Sequence, residues 1–62
     1  MKYVIRFRHV SPSDYMTPLM YIPIEETIVG AETPDLAWAS FVGRLPINQQ
    51  DRLKREEIFQ YT

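Results

Sequence analysis

The sequence predicts an α+β domain of order β-β-α-β, a three-stranded antiparallel sheet with one helix packed on one face. Three observations carry this. Residues alternate in character from Lys2 to Val10. A β-branched run, Thr27–Val29, leads into a capped amphipathic stretch that ends at Leu45. A short alternating segment, EIFQYT, closes the chain. With 62 residues, the domain is single and spans 1–62.

In the first segment Tyr3, Ile5 and Phe7 fall on one side, and Lys2, Arg6 and Arg8 on the other with Val4 among them. Side chains alternate across a strand, so this reads as a half-buried strand with a basic outer face. Ser11–Pro18 (SPSDYMTP) holds two prolines, two serines and an aspartate, the composition of a loop. Leu19–Ile24 is rich in β-branched and aromatic residues and predicts a second strand. Pro23 lacks a ladder donor, so that strand is expected to be an edge or to bulge there. Strand is then expected to resume from Thr27 to Ala31.

The helix has a full set of start signals. Thr33 can cap the first turn with its hydroxyl. Pro34 fits the first helical position, where a missing N–H costs nothing. Asp35 places negative charge at the positive end of the helix dipole. Trp38, Phe41, Val42 and Leu45 recur at helical spacing and form its apolar face. Gly43 marks where the helix weakens, and Pro46 forbids continuation. Residues 47–55 fit either a short helix capped by Asn48, with an Asp51–Arg55 pair, or a loop with one helical turn. Glu57–Thr62 predicts the last strand. The expected core is Tyr3, Ile5, Phe7, Ile22, Ile28, Trp38, Phe41, Val42, Leu45 and one of Ile58 or Phe59. The far face of the sheet is expected to be solvated or to bind something.

Composition narrows the function classes. The chain has no cysteine, which excludes a thiolate metal site, a cysteine nucleophile and a disulfide. Seven basic and eight acidic side chains give a net charge of -1, unlike the basic footprint of a general DNA binder. No apolar run approaches the ~20 residues of a membrane span. The charged start MKYVIRFRHV is not a signal peptide, so the protein is expected to stay in the cytoplasm that made it.

No catalytic constellation emerges. His9 is the only histidine, and Glu25 and Glu26 are neighbours that a strand would send to opposite faces. The two glycines stand apart and make no phosphate loop. The chain is therefore expected to be neither an enzyme nor a cofactor carrier. Lys2, Arg6 and Arg8 share a face and suit an acidic partner or a phosphate backbone, because arginine forks bind both bidentately. They equally suit a solvated edge, where basic residues deter aggregation. Glu25, Glu26, Glu32 and Asp35 form an acidic rim. Tyr15, Met16, Met20 and Tyr21 make an aromatic and thioether patch of the kind enriched at interfaces. The residues expected to meet a partner are Lys2, Arg6, Arg8, Tyr15, Met16, Tyr21 and Glu25.

The run VGAETPDLAWASF, a strand end passing through A-E-T into a capped, alanine-rich helix with an aromatic, resembles the small phage-encoded inhibitors of host bacterial RNA polymerase. The likeness covers about a third of the chain. It implies a stoichiometric protein-binding inhibitor, with arginines on the sheet and an acidic strip engaging the polymerase. Small anti-CRISPR inhibitors have similar dimensions. A nucleic-acid-binding sheet and an oligomeric assembly subunit, paired through an edge strand, are the other readings the residues allow.

Overall fold

The computed structural model describes all residues, Met1–Thr62. Its regular elements are β1 (Lys2–His9), β2 (Glu25–Gly30), α1 (Pro34–Gly43), the single turn α2 (Ile47–Gln50) and β3 (Leu53–Gln60). Two 3-10 turns, Pro12–Asp14 and Leu19–Tyr21, lie between β1 and β2. The sheet is antiparallel in the order β2-β1-β3, so the first strand is the central one. The α+β class and the β-β-α-β order are as the sequence predicts.

One face of the sheet packs on α1. Tyr3, Ile5 and Phe7 of β1, Val29 of β2 and Ala37 of α1 form one buried cluster, with Trp38, Phe41, Leu53 and Ile58 packed at its margin. Ile5 and Ala37 are fully enclosed. Ala37 is the one buried residue of α1, and its small side chain fits beneath the helix against the sheet. Phe41 stacks at a tilt on Phe7, with ring centroids 4.8 Å apart. Such a pair adds about 1 kcal/mol beyond its burial.

The helix begins as its sequence dictates. Thr33 has extended backbone angles, and its Oγ1 accepts a hydrogen bond from the Leu36 N–H at 3.1 Å. Its end tightens as the Arg44 and Leu45 amides donate to Phe41 and Val42. The Gln50 side-chain amide then donates to the Leu45 carbonyl.

Three expectations are corrected and one alternative is decided. Leu19–Ile24 is not a strand: Leu19–Tyr21 is a 3-10 turn and β2 starts at Glu25. Pro18 and Pro23 bracket the segment and deny it a ladder. Val29, not Ile28, faces the helix, because Val29 opposes Tyr3 while Ile28 opposes Val4 on the far face. Ile28 is half exposed, whereas Val4 is buried. Of the two readings open for 47–55, the structure takes the loop with one helical turn, at 47–50 and started by Pro46, with Asn48 inside it rather than capping it. β3 begins at Leu53, four residues before the expected Glu57, so Lys54–Glu57 is strand. Arg55 pairs with Asp35 of α1 at 3.1 Å instead of with Asp51.

The far face is partly covered. The 11–24 segment reaches it, and the Leu19 carbonyl accepts a hydrogen bond from the Arg8 guanidinium. Ile22 is buried outside the helix-side cluster. In all, seven residues are buried, and the Cα envelope measures 37 × 24 × 13 Å. The domain is a thin plate with a small core.

Candidate functional site

The far face of the sheet collects three of the seven residues expected to meet a partner: Lys2, Arg6 and Arg8. Cross-strand register sets it out in rows. Lys2 lies beside Gly30; Val4 lies between Ile28 and Phe59; Arg6 lies between Glu26 and Glu57; Arg8 lies beside Lys54. Directly opposed residues share a face in an antiparallel sheet, so each row is contiguous.

The arginines are engaged within the chain. Arg6 Nε is 3.3 Å from Glu26 Oε1, and its Nη1 is 3.5 Å from Glu57 Oε1. Arg8 Nε is 2.7 Å from Glu56 Oε1. Both Nε atoms are buried and meet their carboxylates at ion-pair distance without hydrogen-bond geometry. The face is therefore a compensated row of alternating charge rather than a basic surface beside an acidic rim. Lys2 is exposed and has no ion pair.

A bulge makes this possible. Neighbouring strand residues normally point to opposite faces. The β1–β3 register shifts between Arg6 and Phe7, so Arg6 opposes Glu57 and Phe7 opposes Arg55. Glu56 is the extra residue. Both Glu56 and Glu57 then reach the arginine side, one for each guanidinium. From the sequence alone, these two glutamates have no partner assigned. The available signal was the match of two adjacent acids to two arginines at alternate strand positions.

Beyond Arg8 the 11–24 loop presents its apolar side chains. Tyr15, Met16, Met20 and Tyr21 are 87, 85, 77 and 72% exposed. The loop is nonetheless fastened. Asp14 Oδ2 accepts from the Ser11 hydroxyl at 2.7 Å and from the Ser11 amide at 3.1 Å. Thr17 donates to the Asp14 carbonyl, Tyr21 to Pro18 and Ile22 to Leu19. Leu19 and Met20 belong with this patch although only Met20 was grouped with it from sequence.

Glu25 does not join these residues. It opposes Phe7 on the helix side, as its alternation with Glu26 requires. There it lines an open cleft of about 330 Å³ with Phe7, His9, Phe41, Leu45, Gln49 and Leu53. His9 Nε2 is buried without a partner at this cleft. No group of three or more His, Asp or Glu side chains is arranged to hold a metal ion. No helix is long and apolar enough to cross a membrane.

Comparison with protein-family models, with curated proteins and with solved structures finds no match to this chain.

Proposed function

We propose that the chain is a small, non-catalytic protein-binding module that docks on a larger protein complex through its 15–21 loop. The observation that supports this is the exposure of Tyr15, Met16, Met20 and Tyr21 on a loop held by its own hydrogen bonds. Four large apolar side chains left in water form the kind of exposed patch that marks an interaction surface. A loop that is held open is preorganised, and preorganisation lowers the ordering cost of binding. Aromatic residues and methionine are the types that supply interface contact. Arg8 holds the loop through the Leu19 carbonyl, and Arg6 and Arg8 are both already paired, so neither is a free phosphate ligand.

The resemblance to phage inhibitors makes bacterial RNA polymerase the first target to try, as a partner that the module would inhibit in a host cytoplasm. An anti-CRISPR-type nuclease target would use the same loop. The test is capture of purified bacterial RNA polymerase, nuclease-treated, by the tagged chain. Two chains are compared: the parent and a variant with Tyr15, Met16, Met20 and Tyr21 all changed to Ser. The parent is expected to retain the polymerase and the variant to weaken retention by on the order of tenfold or more. Equal retention by both would reject the loop. Retention that depends on nucleic acid would replace the reading with a nucleic-acid-binding sheet. Reversing charge at Arg6 and Arg8 is a poorer test, because it also removes three ion pairs inside the fold.

A further inference from the structure

The two open edges of the sheet differ in what they offer a neighbouring strand. β3 carries Lys54, Arg55, Glu56 and Glu57 and a bulge. Both features deter pairing. β2 pairs with β1 in unbroken register and carries no charge from Thr27 to Gly30.

The hydrogen-bond parity of β2 is fixed. The Ala31 amide donates to the Met1 carbonyl, so the odd-numbered residues of β2 exchange bonds with β1. The N–H and C=O groups of Glu26, Ile28 and Gly30 therefore point away from the sheet. No other hydrogen bond within the chain uses them.

We propose that two copies of this chain pair antiparallel through their β2 edges, about a two-fold axis at Ile28. In that register Ile28 meets Ile28, and Glu26 of each copy meets Gly30 of the other. The three N–H and three C=O groups of each edge are then all used, giving six hydrogen bonds. Moving the axis to Thr27 or Val29 leaves one residue of each edge unpaired. Moving it to Glu26 sets two like charges face to face, which is unfavourable.

Side chains agree with this register. Phe59, Val4 and Ile28 form one apolar row on the far face, and Phe59 and Ile28 are 45% and 51% exposed. Pairing at Ile28 joins the rows of the two copies into one stripe across six strands. Gly30 presents no side chain, so Glu26 of the second copy has room above it. Beyond Gly30 on the same face lies Lys2, about 10 Å from that glutamate between Cα atoms, a span two long side chains close. Lys2 has no partner in its own chain. Glu26 uses Oε1 toward Arg6 and keeps Oε2 for the second copy. A domain with seven buried residues gains stability from such an assembly.

The test is sedimentation equilibrium of the whole chain, with circular dichroism to follow the fold. Four versions are compared with the parent: N-methylated at the Ile28 amide by total synthesis, N-methylated at Ile58, Gly30→Glu and Gly30→Lys. The parent is expected to be a dimer. The Ile28 methyl blocks only an outward amide and should give a folded monomer; the Ile58 methyl should leave the dimer intact. A Cβ at Gly30 meets nothing nearer than the Met1 carbonyl at 3.8 Å, so both substitutions fit the single chain. Gly30→Glu puts two like-charge pairs across the axis and should weaken the dimer about tenfold, while Gly30→Lys should preserve it. A monomeric parent, or a dimer that survives the Ile28 methyl, overturns the proposal. Equal weakening by Gly30→Glu and Gly30→Lys overturns the register.

Discussion

β2 and β3 flank the same central strand, yet they are built on different rules. β3 is eight residues long with a charged middle, and every charge in it except Lys54 is matched to a residue elsewhere in the fold: Arg55 to Asp35, Glu56 to Arg8, Glu57 to Arg6. β2 is six residues long and has one such pair, at Glu26. β3 turns its chemistry inward and is held by side chains. β2 is held by its ladder and by Val29 in the core, and its outer side is left to whatever meets it. Edge character here follows from which residues a register brings together, and a plain count of charges would miss it.

The largest test of this contrast strikes what the edges share. Ile5 is fully enclosed between Thr27 on one side and Ile58 on the other. Ile5→Ala should cost about 2–5 kcal/mol, a large share of the stability of a small domain. Chemical denaturation should show a chain unfolded, or nearly so, in buffer. A loss under 1 kcal/mol would mean that neither edge depends on the central strand as described.

A middle-sized effect isolates β3. Glu56→Gln removes the carboxylate facing Arg8, whose side chain is only 16% exposed. The stranded guanidinium should lower stability by about 1–2 kcal/mol, read from the urea midpoint. Raising salt should narrow the gap between parent and variant only slightly, since partly buried pairs are weakly screened. The smallest effect lies at the link between β3 and α1. Asp35 is 88% exposed in its pair with Arg55, so Asp35→Asn should cost no more than about 0.5 kcal/mol and vanish at high salt. If Asp35→Asn costs more than Glu56→Gln, the bulge is not what secures β3.

These differences mark how far the sequence could be read. α1 was legible because its signals are local: Thr33, Pro34 and Asp35 act within one turn, and the structure keeps each role. β1 was legible because its alternation holds except at Val4. Three β-branched residues in a row, Thr27–Val29, carry no alternation, so which of them faces the helix depends on pairing with a distant strand. β3 was cut short because the bulge at Glu56 breaks the two-residue period at the point where charge makes strand hardest to see. Leu19–Ile24 has strand composition but no strand partner, because Pro18 and Pro23 set it into a turn. Of the residues expected to meet a partner, exposure of Tyr15 and Met16 followed from their loop, whereas that of Tyr21 did not, because its segment reads as strand. The pairing of Arg6 and Arg8 did not, since their carboxylates lie on two other strands.

The placement of β1 at the centre also sets an order of events in time. The strand that both edges need is the first in the chain, and its longest partner is the last. Tyr3 pairs with Gln60, across nearly the whole length of the sequence. Pairings so distant in sequence close late and slowly. Until β3 pairs, β1 therefore holds only its ladder with β2, and its other edge stays open. The charges of Lys2, Arg6 and Arg8 then have a second use, since they keep the waiting strand soluble before Glu56 and Glu57 arrive to neutralise two of them.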